Sequence, residues 1–328
     1  MMDPIRARVT PGVPAVETRP GLGALAVALS DAAQALEPPG PAIGPAAAVV
    51  AARAEAAGRQ AALGPILANL EQALGATSLP PNVKVAIGQV LALQTPTSAP
   101  MTPEILKQAV AQSGLFLEAK LAAGDAPPMD LKAALLVLQQ ALGPTGQRGA
   151  SRPQRPTPPP TAGGALVGQA PAKATLSLDA DPVALAHELG SEVEQALARH
   201  TLHQLASLPD GPGAHWMFEL PLATPQGPAI AQFAIDRDDP QRAGEDQAPT
   251  WQARFSLDIP PLGPVHVSVR MDGEQTAVTM WAEQPEGLAR LRSRGDELSG
   301  ALAAEVVFRP GSPHPPAPPP GRLVDQTS

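Results

Sequence analysis

From residue 216 to 281, apolar and polar positions alternate in five successive runs: 216–220, 229–236, 251–258, 265–271 and 275–281. A period of two is the mark of a half-buried strand. The fourth and fifth runs flank "MDGEQ", and its Asp272-Gly273 pair predicts a tight hairpin turn. The pattern then changes to a helical one over 285–302, with Leu288, Leu291, Leu298 and Leu302 on one inner face. "AEVVF" supplies a last strand ending at Phe308. Five strands, a helix and a strand predict an α+β domain over 213–309, with a mostly antiparallel sheet and one packed helix.

Upstream the pattern is helical and Ala/Leu-rich. Residues 21–75 hold good helix formers broken by Gly and Pro, and 80–94 give another short helix. Isolated helices of this length are marginal in water, so little tertiary packing is expected there. A stronger helix starts at Thr102 as N-cap with Pro103 after it, ends at Gly124, and lines up Leu106, Val110, Leu117 and Leu121. Another runs from Asp130 to Gly143. Together they predict a helical hairpin, read either as a self-packed pair or as a docking site for a partner's helix at Leu115, Phe116, Leu117 and Leu121. A connecting helix is capped by Asp181 and striped by Leu185, Leu189, Val193, Leu197, Leu205 and Leu208, and "PDGPG" closes it.

These patterns divide the chain into a partly disordered helical region (1–143), a Pro-rich linker (144–180), a connecting helix (181–212), the α+β domain (213–309) and a disordered Pro-rich tail (310–328). Composition sharpens the division. With 42 Pro and 29 Gly in 328 residues, low-complexity stretches are expected. Seven of the eight aromatics lie between Trp216 and Phe308, which concentrates the expected core there.

Charge narrows the partners. The net charge is -8, and residues 210–309 carry 15 Asp/Glu against 8 Arg and no Lys. Nucleic acid and anionic membrane surfaces call for basic patches, so both are disfavoured. No run of about 20 apolar residues is present to span a bilayer, and "MMDPIRARVT" lacks the apolar core of a cleavable signal peptide. The absence of Cys removes disulfides, thiolate metal sites and cysteine nucleophiles together.

No catalytic constellation stands out: neither a phosphate loop, a dinucleotide glycine pattern nor a nucleophile elbow is present. His200 and His203 stand three apart on one helix, with His187 and Glu188 upstream; the expectation is two partly exposed helix histidines without metal. His266 is expected to face solvent or a sheet edge, and Asp236, Asp238 and Asp239 to belong to a solvated loop. No cofactor is expected.

One stretch has a more specific look. In "LDIPPLGPVHVSVRMDGEQTAVTMWAE", a Leu-led strand is followed by prolines, a Leu-Gly pair, an alternating strand, a turn and a second alternating strand ending in Ala. These positions are Leu257, Pro261, Leu262, Gly263, Val265, Val267, Val269, Gly273, Val278, Met280 and Ala282. The stretch, with the Leu-rich helix after it, resembles the C-terminal domain of bacterial flagellar hook-length control proteins. "SGLFLEAKLAAG" and "DLKAALLVLQQAL" are similar to upstream segments of that family; the spacing before the last strand and the long proline tail depart from it.

The resemblance implies a non-enzymatic protein, first cytoplasmic and then exported through the flagellar type III apparatus, that senses hook length and switches export from hook-type to filament-type substrates. It implies the export-gate switch protein as partner, together with hook and hook-cap proteins. The partner-binding residues expected on this basis are Pro261, Leu262, Gly263, Val265, Val267, Val269, Val278 and Met280. Fully extended at about 3.3 Å per residue, the first 210 residues would reach roughly 700 Å, which suits a length sensor. A non-secreted scaffold or adaptor using the same domain is the alternative, and a metal-dependent hydrolase at His187, His200 and His203 the weakest reading.

Overall fold

A computed structural model describes residues 44–98, 100–124, 129–143, 158–208, 214–238, 249–273, 275–302 and 304–313. The expected helix near residues 21–36, most of the Pro-rich stretch at 144–157, the "PDGPG" turn, Asp239 and the tail from 314 lie outside them. Contacts divide the chain into Met1–Ala48 and Val49–Ser328; the second unit contains everything analysed below.

Seven helices precede the main sheet: α1 (Pro45–Arg59), α2 (Leu63–Ala73), α3 (Pro81–Leu91), α4 (Pro103–Ala111), α5 (Leu117–Ala122), α6 (Leu131–Leu142) and α7 (Pro182–Ala206). Their starts follow local chemistry. The Thr102 hydroxyl accepts from the Ile105 amide, Asp130 from the Ala133 amide, and Asp181 from the amides of Val183 and Ala184. These helices were expected to pack little. Instead Leu67, Leu70, Ile87, Leu135, Leu138, Leu185, Leu189 and Val193 form one buried cluster that also takes in Ile230 of the sheet. Each such side chain contributes about 1.5–3 kcal/mol on burial, and mutual coverage replaces the propensity that short helices lack. The main core is therefore not confined to 213–309.

The sheet has the order β1 to β7 in sequence: β1 (Thr95–Pro96), β2 (Ala214–Thr224), β3 (Gly227–Arg237), β4 (Trp251–Ile259), β5 (Gly263–Asp272), β6 (Gln275–Ala282) and β7 (Glu305–Pro310). Strands β2 to β6 form an antiparallel meander, as the alternation predicts, and the two edge strands pair in parallel. One face carries Trp216, Phe218, Phe233, Trp251, Phe255, Val267 and Met280; Phe233 stacks between Phe218 and Phe255, with ring centroids 5.3 and 5.1 Å away. Residues Ala109, Val110 and Leu115 cover one end of this face. The other end lies under α8 (Pro285–Ser293) and α9 (Gly295–Leu302). The opposite face packs Met217 and Ala234 on Ala206 of α7 and on Leu166.

Several elements differ from the sequence reading. The helix expected over 102–124 is two, because the chain turns at Gly114 with φ 87°, where a Cβ would sit 2.8 Å from Lys132. The start of α6 occupies that space, and its Leu131 amide donates to the Gln112 carbonyl at 2.9 Å. The predicted stripe is broken, and Leu121 is 48 % exposed. The helix over 285–302 is likewise divided, at Arg294, whose φ of -113° leaves the helical region; Leu302 is consequently 47 % exposed rather than inward. On α7 the buried stripe turns after Val193 from Leu197 and Leu205 to Ala196, Arg199, His200, Leu202 and His203.

Residues 158–180, expected as linker, are held against the sheet. β4 pairs with β3 only from Gln232 to Arg237, which leaves the edge at Ile230 open. Gln169 fills it with hydrogen bonds in both directions (2.8 and 3.0 Å). The Val167 amide donates to Gln232 Oε1 at 2.8 Å, and the Gly168 amide to Ser256 Oγ at 3.0 Å. The amides of Thr175 and Leu176 both donate to Asn69 Oδ1. Leu166 and Leu176 are buried in this segment.

Candidate functional site

The turn that launches β5 is built as a seat for α8. Ile259 accepts from the Leu262 amide at 2.9 Å, across a cis Pro260–Pro261 bond. Gly263 has φ 69°. A Cβ there would lie 2.4 Å from the Gln284 side chain, and a Cβ on Gly287 would lie 2.2 Å from the Leu262 carbonyl oxygen. Both glycines thus admit a backbone approach that any side chain would block. Leu288 and Leu291 then reach the inner face of the hairpin, over Val265, Val267, Val278 and Ala282.

This geometry sorts the expected partner-binding residues. Val265, Val267 and Val278 are buried beneath α8, and Gly263 is buried too. Their alternation is a packing signal, and they present no surface. Pro261 is exposed, while Leu262, Val269 and Met280 are half-buried. The expected docking helix fares similarly: Leu117 is buried, Leu115 packs toward Phe218 and Leu220, Phe116 is half-buried and Leu121 is exposed. The two helices of that region turn their apolar residues largely toward the protein's own core.

Between the ends covered by α4 and α8, the apolar face is partly open. Trp216 and Trp251 stack there at 6.0 Å, and the Arg237 guanidinium lies 5.3 Å above the Trp251 ring. Phe255, Leu257 and Ile259 are half-buried beside them, and Met271 is exposed. Residue-type alternation gave this stripe to the core; the structure leaves it without complete cover.

The opposite face holds a polar cleft of about 410 Å³. Its floor includes Gln252 and Arg254 of β4, His266 and Ser268 of β5, and Trp281 of β6. Gly163 and Leu166 stand on one side and Pro313 on the other. The expectation for His266 is corrected: it sits mid-sheet and buried, with Nε2 2.9 Å from Glu283 Oε1. Nearby, Asp236 contacts His215 Nδ1 at 2.5 Å and Arg254 Nη2 at 3.4 Å. Burial alone would raise the Asp236 carboxyl, but His215 and Arg254 outweigh it and hold it below the usual carboxylate range. Asp236 is thus the end of a strand pairing, and the loop beyond Asp238 lies outside the described residues. Asp258 shifts the other way, raised by burial and then by Glu283.

A second polar cluster joins α7 to β2. Arg199 binds Glu219 through Nε and Nη2 at 2.7–2.9 Å and reaches Gln60 Oε1 at 2.7 Å. Burial opposes charge on Glu219, yet Arg199 and then His203 hold its carboxyl far below the usual range. His200 and His203 are 7 % and 2 % exposed, not partly exposed as expected. Burial, and then His203, push the His200 imidazole down to about 3. Among the described residues no three His, Cys, Asp or Glu side chains converge to hold a metal ion. The one signal for this cluster in the sequence is Glu219 itself, which the period of two places with Met217 on the covered face.

Among the described residues, no helix is long and apolar enough to cross a membrane. Residues 240–307 match the family model described as "Flagellar hook-length control protein FliK". That span runs from the approach to β4 through the hairpin, α8 and α9 into β7. No curated protein and no solved structure matches the chain.

Proposed function

The chain carries a flagellar hook-length control domain, and from this we propose that it is exported through the flagellar type III apparatus, senses hook length, and switches export from hook-type to filament-type substrates. The observation that carries the reading is the coincidence of the matched span with the hairpin and its Pro-Pro-Leu-Gly seat for α8. The role is regulatory: the domain supplies a surface, and the chemistry it performs is binding. The partner is the cytoplasmic part of the export-gate switch protein, with hook and hook-cap proteins met during passage. The contact surface on the hairpin is its accessible part, namely Pro261, Leu262, Val269 and Met280.

The packing of α2 to α7 refines how length is sensed. These helices share their core with the sheet, so the long reach that suits a ruler exists only after the core has opened. Sensing therefore follows unfolding at the export gate, and switching follows from the sheet domain when it is delayed there.

The test is hook length by electron microscopy in a strain lacking the gene, with swimming and culture-medium protein scored together. Overlong hooks without filaments, rescued by the intact gene, support the role. Normal hooks and filaments overturn it. Rescue by a chain that never reaches the medium would keep the switch and overturn the export, which is the adaptor reading.

A further inference from the structure

The cleft on the polar face has a feature that the flagellar role does not use: the chain itself enters it. After β7, Gly311 donates to the Ala282 carbonyl at 2.9 Å, and Pro313 then lines the cleft with Trp281. The next seven residues are His314-Pro315-Pro316-Ala317-Pro318-Pro319-Pro320. We propose that this proline-rich segment of the same chain is the occupant of the cleft, laid across β6, β5 and β4 toward Leu166.

Reach agrees with this path. From β6 to β4 is two strand spacings, roughly 10 Å. A polyproline II segment advances about 3.1 Å per residue, so the seven residues cover roughly 22 Å and arrive at the wall formed by Gly163 and Leu166. The chemistry agrees as well. Five of the seven residues are prolines, which have carbonyl acceptors and ring faces but no N–H. The floor is the complement: Arg254, Gln252 and Ser268 bring donors, and Trp281 brings a flat apolar ring. The Trp281 indole N–H has no hydrogen-bond partner among the described residues. The fold already holds one proline-rich stretch in this manner, for Arg199 Nη1 donates to the Pro158 carbonyl at 3.3 Å.

The absence of cysteine from the chain gives a clean test. Ala317→Cys is combined with Ser268→Cys on the cleft floor, or with Ala253→Cys on the opposite face of the sheet as control. Disulfide formation in the full chain is followed under mild oxidation by non-reducing electrophoresis and mass spectrometry, with circular dichroism to show equal folding. The first pair should close within one chain, and the control roughly tenfold more slowly or not at all. Replacing Pro315, Pro316 and Pro318 by Ser in the first pair should slow closure toward the control rate. Equal rates for the two pairs, or closure indifferent to the prolines, overturn the proposal. A disulfide-linked dimer in place of the closed monomer also overturns it, by assigning the cleft to a second copy's segment.

Discussion

Glu192 on α7 gives the sharpest test of the helical core. Its Oε1 accepts from Asn69 Nδ2 at 2.5 Å, while its Oε2 is buried without a hydrogen-bond partner. Burial, which outweighs the Asn69 bond and is reinforced by Glu188, pushes the carboxyl up from 4.5 to about 7. A carboxyl raised in the folded state holds its proton more tightly there than in the unfolded chain. Its contribution to stability is therefore full below pH about 4.5 and is lost as pH rises through about 7. The shift corresponds to about 3 kcal/mol at pH 8.5, at 1.36 kcal/mol per pH unit. Glu192→Gln keeps an acceptor for Asn69 and removes the titration. The variant should match the parent near pH 4.5 and exceed it by about 3 kcal/mol at pH 8.5, or about 5–10 °C in Tm for a unit of this size. Thermal unfolding by circular dichroism at both pH values measures this directly. Because all other groups are common to both proteins, their titrations cancel in the difference. A Tm gap independent of pH, or a less stable variant at pH 8.5, would refute the assignment of Glu192 to a desolvated site.

Other expectations follow from the same packing. Arg199→Met leaves Glu219 buried without its main partner and should cost about 3–5 kcal/mol in urea unfolding; Arg199→Met with Glu219→Leu should recover most of that loss. Gly287→Ala forces α8 away from the Leu262 carbonyl and should cost about 1–3 kcal/mol, with chemical-shift changes confined to the hairpin and α8. Val267→Asp buries a charge under α8 and should abolish both the cooperative unfolding transition and hook termination, whereas Pro261→Ser, at an exposed position, should keep the fold and alter only switching. Gln169→Ala removes the side chain that joins the Gly64 amide to Glu219 and should loosen residues 164–176, seen as faster amide exchange at Val167 and Gly168.

The sheet was legible because its cause is local. Five runs of period two, Asp272-Gly273 and a Leu-spaced helix fix strands, hairpin and cover within a few residues of where they lie, and the α+β class follows from their order. The helices were legible as elements through Thr102, Asp130 and Asp181, whose capping oxygens act within three residues. What they pack against was not. Leu67, Leu135 and Leu185 meet across more than one hundred positions of chain, and no local period records such a meeting. The same limit hid the strap: Leu166 and Leu176 sit among Gly, Pro and Ala, and only the open edge of β3 explains why that stretch is held.

For the candidate site the period was read correctly and its meaning was not. Alternation at Val265, Val267 and Val278 marks one face of a strand, but whether that face is surface or core depends on α8, which begins some twenty residues after Val265. Once α8 is seated by Gly263 and Gly287, those valines are interior, and the polar alternates His266, Ser268 and Trp281 become the accessible floor of the cleft. Glu219 obeys the same logic from the other direction. An acidic residue at an inward position of β2 demands a buried cation, and Arg199, twenty residues before it, meets that demand only because α7 folds back along β2. A charge set against the strand period is thus the one local sign that a distant partner must exist, and in this chain it points to the junction of helices and sheet.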